Sequence, residues 1–278
     1  MLRRRRTALA LGGLLVLACA AAATAQDYGW GFRGPRSRVF KPSDAPRPGW
    51  TFCRGVYRSV RREWMGQGWY TDYPDSDRNF MLRFSQLTTT QIARWENDEP
   101  FHSVVELTHA DLFRCPFLFM SDVGTMGLSD DEVRALRTYL LKGGFLWVDD
   151  FWGEFAWEQW EQEIGRVLPP AVYPIQDIPI THEMLSTLYS VDALPQVPSI
   201  QFWRRSGRTE TSERGRESAV PHLRGIYGED GRLLVVMTHN TDIADGWERE
   251  GEDDQFFYLF SPAAYGIGVN VVLYALTH

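Results

Sequence analysis

Two aspartates stand side by side at Asp149 and Asp150. They follow the apolar run 145–148 directly and precede Phe151, Trp152 and Gly153. Carboxylates at the end of a buried strand have three chemical uses. They cap the next helix by accepting its free N–H groups. They serve as general acid or base when burial and a nearby like charge raise one pKa. They also ligate hard cations through oxygen. Ser121 and Asp122 end the apolar run 116–120 in a similar way, so neighbouring strands would bring Asp122 towards the pair.

A second constellation is THNTDIADGWE, residues 238–248, which follows the strand-like run 232–237. It gathers His239, Asn240, Asp242, Asp245 and Glu248 around Gly246 and Trp247. Its acidic spacing lacks the alternation, central glycine and terminal glutamate of a calcium loop. Two readings stay open. One is a polar loop over a cleft with Trp247 as a stacking surface; the other is a solvated acidic connection. Asp149 and Asp150 are therefore the catalytic candidates, and one of them alternatively caps the following helix. Asp122, Trp152, His239, Asn240, Asp242, Asp245 and Trp247 are the candidate ligand contacts. Spacing assigns no metal site, and no cofactor is expected. The chain has no HExxH, CxxC or Walker loop and no nucleophile elbow. His182 beside Glu183 reads as structural, His102 and His109 lack ligand spacing, and Cys115 precedes its strand instead of following it.

The elements that must position these groups are clearest in the middle of the chain. Residues 116–120 read as a strand. SDDEVRALRTYLLKGG then carries a capping box, Ser129 with Glu132, and three acids in the first turn. Val133, Leu136, Leu140 and Leu141 form an apolar stripe, and Gly143–Gly144 stops the helix. With the strand 145–148 this is a βαβ unit, whose strands should be parallel. Continuous apolarity implies a sheet covered on both faces.

Elsewhere, residues 50–60 have strand character, and residues 64–77 form an aromatic loop. Asp77 caps a helix carrying Phe80, Phe84 and Leu87 on one face. Residues 103–107 form a short strand. After Gly153 a helix presents Phe155, Trp160 and Ile164. Residues 175–189 form a loop and a short helix, and the polar stretch 206–218 reads as a mobile surface loop. Strands 223–227 and 232–238 meet through Glu229-Asp230-Gly231, a hairpin signal that gives an antiparallel edge. Ser261–Pro262 opens a last helix, in which Gly266 and Gly268 permit close packing on the sheet.

The N-terminus has a positive run, Arg3–Arg6, an apolar stretch 8–18 and the small-residue site Ala23-Thr24-Ala25. That is a secretory signal pattern over residues 1–25. Lipidation at Cys19 is a minor alternative, and no membrane span is expected after cleavage. Residues 26–49, rich in Gly, Pro, Arg and Ser, read as an extended arm, leaving residues 50–278 as one domain. The formal charge of −7 becomes −11 when Arg3, Arg4, Arg5 and Arg6 leave. So acidic an exported protein is a poor nucleic-acid binder. Its location permits a Cys53–Cys115 disulfide, although two buried thiols fit the sequence equally well.

The run CPFLFMSDVGTMGLSDDEVRALRTYLLKGGFLWVDDFWG resembles the core of the DUF4159 proteins, an uncharacterised bacterial family. WYTDYPDSDRNFMLRFSQLTT, HNTDIADGWE and GIGVNVVLYALT extend the resemblance in order. It implies a flavodoxin-like, class I glutamine amidotransferase-like α/β fold with a mainly parallel central sheet. In glutaminases a cysteine follows the strand matching 145–148, whereas Asp149, Asp150 and Phe151 stand here, so glutaminase chemistry is not expected. The resemblance also implies a periplasmic or cell-envelope setting and an envelope partner of the MoxR or von Willebrand A type. Two functions follow as expectations: a non-catalytic ligand- or protein-binding domain, or a carboxylate-dependent hydrolase acting on an envelope glycan.

Overall fold

A computed structural model describes residues 40–278; the expected signal peptide, Cys19 and the first part of the expected arm lie outside them. Nine strands form among these residues: β1 (Phe52–Val56), β2 (Arg58–Ser59), β3 (His102–Glu106), β4 (Phe117–Ser121), β5 (Met126–Gly127), β6 (Phe145–Asp149), β7 (Ile175–Asp177), β8 (His222–Tyr227) and β9 (Leu233–His239). The central sheet has seven strands in the order β3-β1-β4-β6-β9-β8-β7, and β2 pairs with β5 apart from it. The first five are parallel, while β8 and β7 run antiparallel at one edge. Counted along the chain, the parallel strands lie in the flavodoxin-like order 2-1-3-4-5. The winding therefore reverses at β1, between β3 and β4.

Alternation along the strands covers the sheet on both faces. Phe117 and Phe119 point to a core shared with Phe80 and Phe84 of α1 (Asp75–Leu87), Trp247 of α5 (Asp245–Glu248) and the last helix, α6 (Asp254–Thr277). Leu118 and Met120 point to the opposite core, with Leu136 and Leu140 of α2 (Asp130–Leu141) and Trp160 of α3 (Gly153–Val167). The capping box forms as read: Ser129 Oγ accepts from Glu132 N, and the Glu132 carboxylate accepts from Ser129 N at 2.7 Å. The register Ser121↔Asp149 sets the carboxyl ends of β4 and β6 level. A disulfide joins Cys53 in β1 to Cys115 before β4, with Cα atoms 6.0 Å apart.

Several local expectations need correction. Asp77 does not cap α1; it lies inside the helix, where it forms a fully buried ion pair with Arg54. Phe155 does not face the core but is 72% exposed, since Ala156, Trp160, Ile164 and Val167 occupy the buried face of α3. Residues 40–49 are fixed to the domain: Phe40 packs on Trp95 and Phe101, and its carbonyl accepts from Val104 N. The last helix starts before Pro262, at Asp254, because Asp253 accepts from Gln255 N and Phe256 N. Pro262 is carried inside it, since burial of Phe256, Ile267 and Val271 outweighs the roughly 3 kcal/mol cost of an internal proline. This 24-residue helix is long and apolar enough to cross a membrane by length and composition. Its residues instead fill the core along much of its length, as expected of a helix apolar on most sides. Gly268 is the close contact: a Cβ there would lie 2.6 Å from Trp247 Cζ2 and 2.7 Å from Phe80 Cε2.

Candidate functional site

Four parallel strands deliver polar loops to one place, the carboxyl edge at the β1/β4 reversal. After β1, the chain runs through residues 63–72. The buried Arg54 holds this loop by donating from Nη1 to the carbonyls of Trp69 (3.2 Å) and Thr71 (3.0 Å). Asp72 follows immediately. Asp122 leaves β4, Asp150 leaves β6, and Asp242 and Asp245 follow β9. Asp72, Asp122, Asp150 and Asn240 all have left-handed backbone, with φ of 64°, 52°, 54° and 63°. Asp and Asn are the side-chain-bearing residues that tolerate that conformation best. The loops enclose a cleft of about 200 Å³ floored by the buried Asp72, Asp150 and Asp242, with the more exposed Arg214 and Arg249 at its rim.

Hydrogen bonds fix some of these carboxylates and not others. Asp122 Oδ2 accepts from Gly68 N at 2.6 Å. Gly66 has to be small, because a Cβ there would sit 2.5 Å from that same oxygen. Asp150 Oδ1 accepts from Trp152 Nε1 at 3.0 Å, and Asp242 Oδ1 accepts from Asp245 N at 2.9 Å. Asp245 Oδ2 caps Ile200 N at 2.8 Å, the first residue of α4 (Ile200–Arg205). Among the described residues, Asp72 Oδ2 is buried without a hydrogen-bond partner.

Burial dominates the electrostatics. It pushes the Asp122 carboxyl up to about 8, with Glu63 adding to the rise and the Gly68 amide opposing it. Asp72, Asp150 and Asp242 are also raised well above the carboxylate range, first by desolvation and then by acidic neighbours. Asp72 feels Glu248 and Asp245, Asp150 feels Asp72 and Asp122, and Asp242 feels Asp150 and Asp72.

A family model described as "Domain of unknown function (DUF4159)" matches residues 57–276. The chain belongs to the DUF4159 family. No curated protein matches it.

In this DUF4159 domain the adjacent aspartates divide their roles. Asp149 is fully buried outside the cleft. Its Oδ1 accepts from Thr238 Oγ1 at 2.5 Å and its Oδ2 from Ala244 N at 3.0 Å, so it ties β6 to the segment after β9. Burial lifts it to about 7, against those bonds. Asp150 instead lines the cleft, together with four of the candidate ligand contacts, Asp122, Trp152, Asp242 and Asp245.

The other three candidate contacts stand elsewhere. Trp247 is 0% exposed and packs against Phe80 and Trp147 at ring distances of 4.5 and 5.6 Å, so it offers no stacking surface. His239 stacks on Phe151 at 4.9 Å, with Nε2 3.1 Å from Gly153 O. As the final residue of β9, it takes the side of the sheet that α3 covers. Asn240 is a brace: Oδ1 accepts from Gly153 N and Nδ2 donates to Val220 O, both at 2.9 Å.

Sequence reasoning passed over Asp72, Glu63, Glu213 and Arg214. Asp72 lies in the aromatic loop, beside the cis Tyr73–Pro74 bond. An aspartate before a Tyr-Pro pair, downstream of a first parallel strand, was the available signal. Glu213 and Arg214 belong to the stretch 206–218 read as a mobile loop. In fact Glu213 is buried and accepts from Ser199 N at 2.7 Å, while Arg214 reaches the Trp64 carbonyl at 3.0 Å.

Proposed function

We propose that the protein is an exported, non-catalytic binding protein of the cell envelope, whose acidic cleft takes a small, positively charged ligand. One observation carries this reading. Asp72, Asp150 and Asp242 are buried together at the floor of the cleft, and no ion pair among the described residues reaches any of them. Clustered buried carboxyls resist ionising unless a counter-charge joins them. A cationic ligand supplies it. The position agrees with the rule that ligands of open parallel sheets bind beyond the strand carboxyl ends at the reversal.

Export is supported by the signal-like N-terminus and by the Cys53–Cys115 disulfide, a bond of oxidising compartments. Kinship with the amidotransferase-like fold is supported by the parallel strand order. The residues at the carboxyl end of β6, Asp149, Asp150 and Phe151, supply no thiol for glutaminase chemistry.

The hydrolase reading rests on Asp122, whose carboxyl burial pushes up to about 8, the direction a general acid needs. It is the weaker of the two. A cleft of about 200 Å³ is small beside the roughly 300–1,000 Å³ of drug-sized sites. The two tryptophans a glycan would stack on, Trp152 and Trp247, are both buried.

Thermal melts of the purified protein against lysine, arginine, spermidine, glucosamine and divalent chlorides test the binding reading. At least one cation should raise Tm in the wild type and not in Asp150→Asn. A panel that shifts neither protein, or both equally, overturns it.

A further inference from the structure

Two acidic groups in the cleft region have the spacing of ion ligands: Asp72, Asp150 and Asp242, and Asp72, Asp245 and Glu248. In each, one oxygen per residue lies within 4.8 Å of the others. That separation has a direct meaning. Two oxygens bonded to one ion at about 2.4 Å can stand no more than about 4.8 Å apart.

Charge separates the two groups. The second already has its cation, since Arg249 Nε lies 2.6 Å from Glu248 and 3.6 Å from Asp245. The first has no ion pair among the described residues. An independent observation points the same way: Asp72 is 8% exposed, one of its carboxylate oxygens lies within 4.8 Å of those of Asp150 and Asp242, and its Oδ2 is buried without a hydrogen-bond partner among the described residues. Protein interiors rarely leave a polar atom so. Asp150 and Asp242 each have one oxygen engaged by a neutral donor, Trp152 Nε1 and Asp245 N, which orients the carboxylates as outer-shell bonds orient metal ligands.

We propose that Asp72, Asp150 and Asp242 bind one hard divalent cation, of the Ca²⁺ or Mg²⁺ class, at the floor of the cleft. The inference rests on the reading of this cleft as a cation-binding site and names the cation. The donors are all carboxylate oxygen, with no thiolate or imidazole lining the cleft, which selects hard dications over zinc or copper. Three carboxylates leave coordination positions for water or for an anionic group of a second ligand. Arg214 at the rim is placed to meet such a group.

Calorimetry on the EDTA-stripped protein with CaCl₂, MgCl₂ and MnCl₂ tests the proposal. One ion per chain should bind, with Kd below about 1 mM for at least one of the three. At about 100 Kd of that ion, Tm should rise by ~5–10 °C. Asp72→Asn, Asp150→Asn and Asp242→Asn should each weaken binding by about tenfold or more, a loss of the order seen for disturbed metal shells. Glu248→Gln should weaken it far less, since Glu248 is engaged by Arg249 and reaches the site only through its charge. Terbium luminescence, excited through Trp152 and displaced by Ca²⁺, reads the site in the wild type should a variant fail to fold.

No saturable binding of any of the three ions overturns the inference. So does binding that survives Asp150→Asn but is lost in Glu248→Gln. If metals fail while an organic cation still raises Tm in an Asp150-dependent way, the inference falls and the binding reading stands. If neither shifts Tm, both fall.

Discussion

The adjacent aspartates should respond oppositely to substitution. Asp149→Ala removes the acceptor of a buried Ala244 N–H and one partner of Thr238 Oγ1. Thr238 retains Val148 O at 3.1 Å, so its hydroxyl remains satisfied. The Ala244 amide does not, and an orphaned buried donor costs about 1–3 kcal/mol. Removing the carboxylate atoms from a fully buried position leaves a void worth about another 1 kcal/mol. Relief of the buried charge offsets part of this, leaving an expected loss of ~2–4 kcal/mol. Asp150→Asn is different. Asn tolerates the left-handed backbone at φ 54° and keeps an oxygen for Trp152 Nε1, while repulsion from Asp72 and Asp122 disappears. Stability should change by less than about 0.5 kcal/mol or rise. Urea unfolding in EDTA at neutral pH, followed by far-UV circular dichroism, measures both. The division of roles is wrong if Asp150→Asn loses more than about 2 kcal/mol or Asp149→Ala loses less than about 1 kcal/mol.

Four further outcomes follow from the same structure. Reducing Cys53–Cys115, which spans 62 residues, should cost about 4 kcal/mol on the loop-entropy model, seen as a lower Tm in dithiothreitol; two free thiols in the unreduced protein would refute the pairing. His239 should titrate near 4, because burial disfavours its charged form. It is then neutral in the folded protein and charged in the unfolded chain below about 6.5, so its contribution erodes stability as pH falls from 6.5 to 4; an NMR titration midpoint near 6.5 refutes this. Asn240→Ala should lose ~2–4 kcal/mol, since two hydrogen bonds go and alanine is strained at φ 63°, while Asn240→Gly should be spared the strain component; unfolding midpoints that place glycine below alanine contradict the backbone argument. Gly268→Ala should lose ~1–3 kcal/mol by forcing Trp247 and Phe80 apart, and a thermal melt at the wild-type Tm refutes so close a contact.

The parallel core was legible because local signals agreed with one another. Ser129, Glu132 and Gly143 bracket α2, and the runs on either side are the right length for β4 and β6. The glycine turn at 231 likewise announced the antiparallel edge. What failed were assignments that depend on a distant partner. Asp77 looks like a helix cap until Arg54 is folded against it. Trp247 sits in a polar stretch, yet α5 carries it into the aromatic core. Residues 206–218 have the composition of a mobile loop, but Glu213 is anchored to Ser199, a contact no local pattern encodes. Of the cleft, the sequence disclosed the groups at the ends of β4, β6 and β9. It concealed Asp72, whose loop is held by Arg54 from β1.

A single geometric choice underlies the arrangement. A chain leaving a parallel strand must turn sharply towards the next element, and three of these exits use a left-handed Asp or Asn: Asp122 after β4, Asp150 after β6 and Asn240 after β9. Glycine makes such turns at lower conformational cost. Using aspartate at 122 and 150 sets a carboxylate at each turn, and Asp72 brings a third to the reversal from the loop after β1. A fold seeking only stability would not bury acids together where glycine would serve, because each raises the cost of ionising the next. Strain and like charge at one site are commonly retained where a ligand relieves them. Asn240 is the informative exception, since it makes the same turn without a charge and binds only backbone. The acids therefore concentrate on the exits that open into the cleft, and the neutral residue stands where the exit is closed by protein.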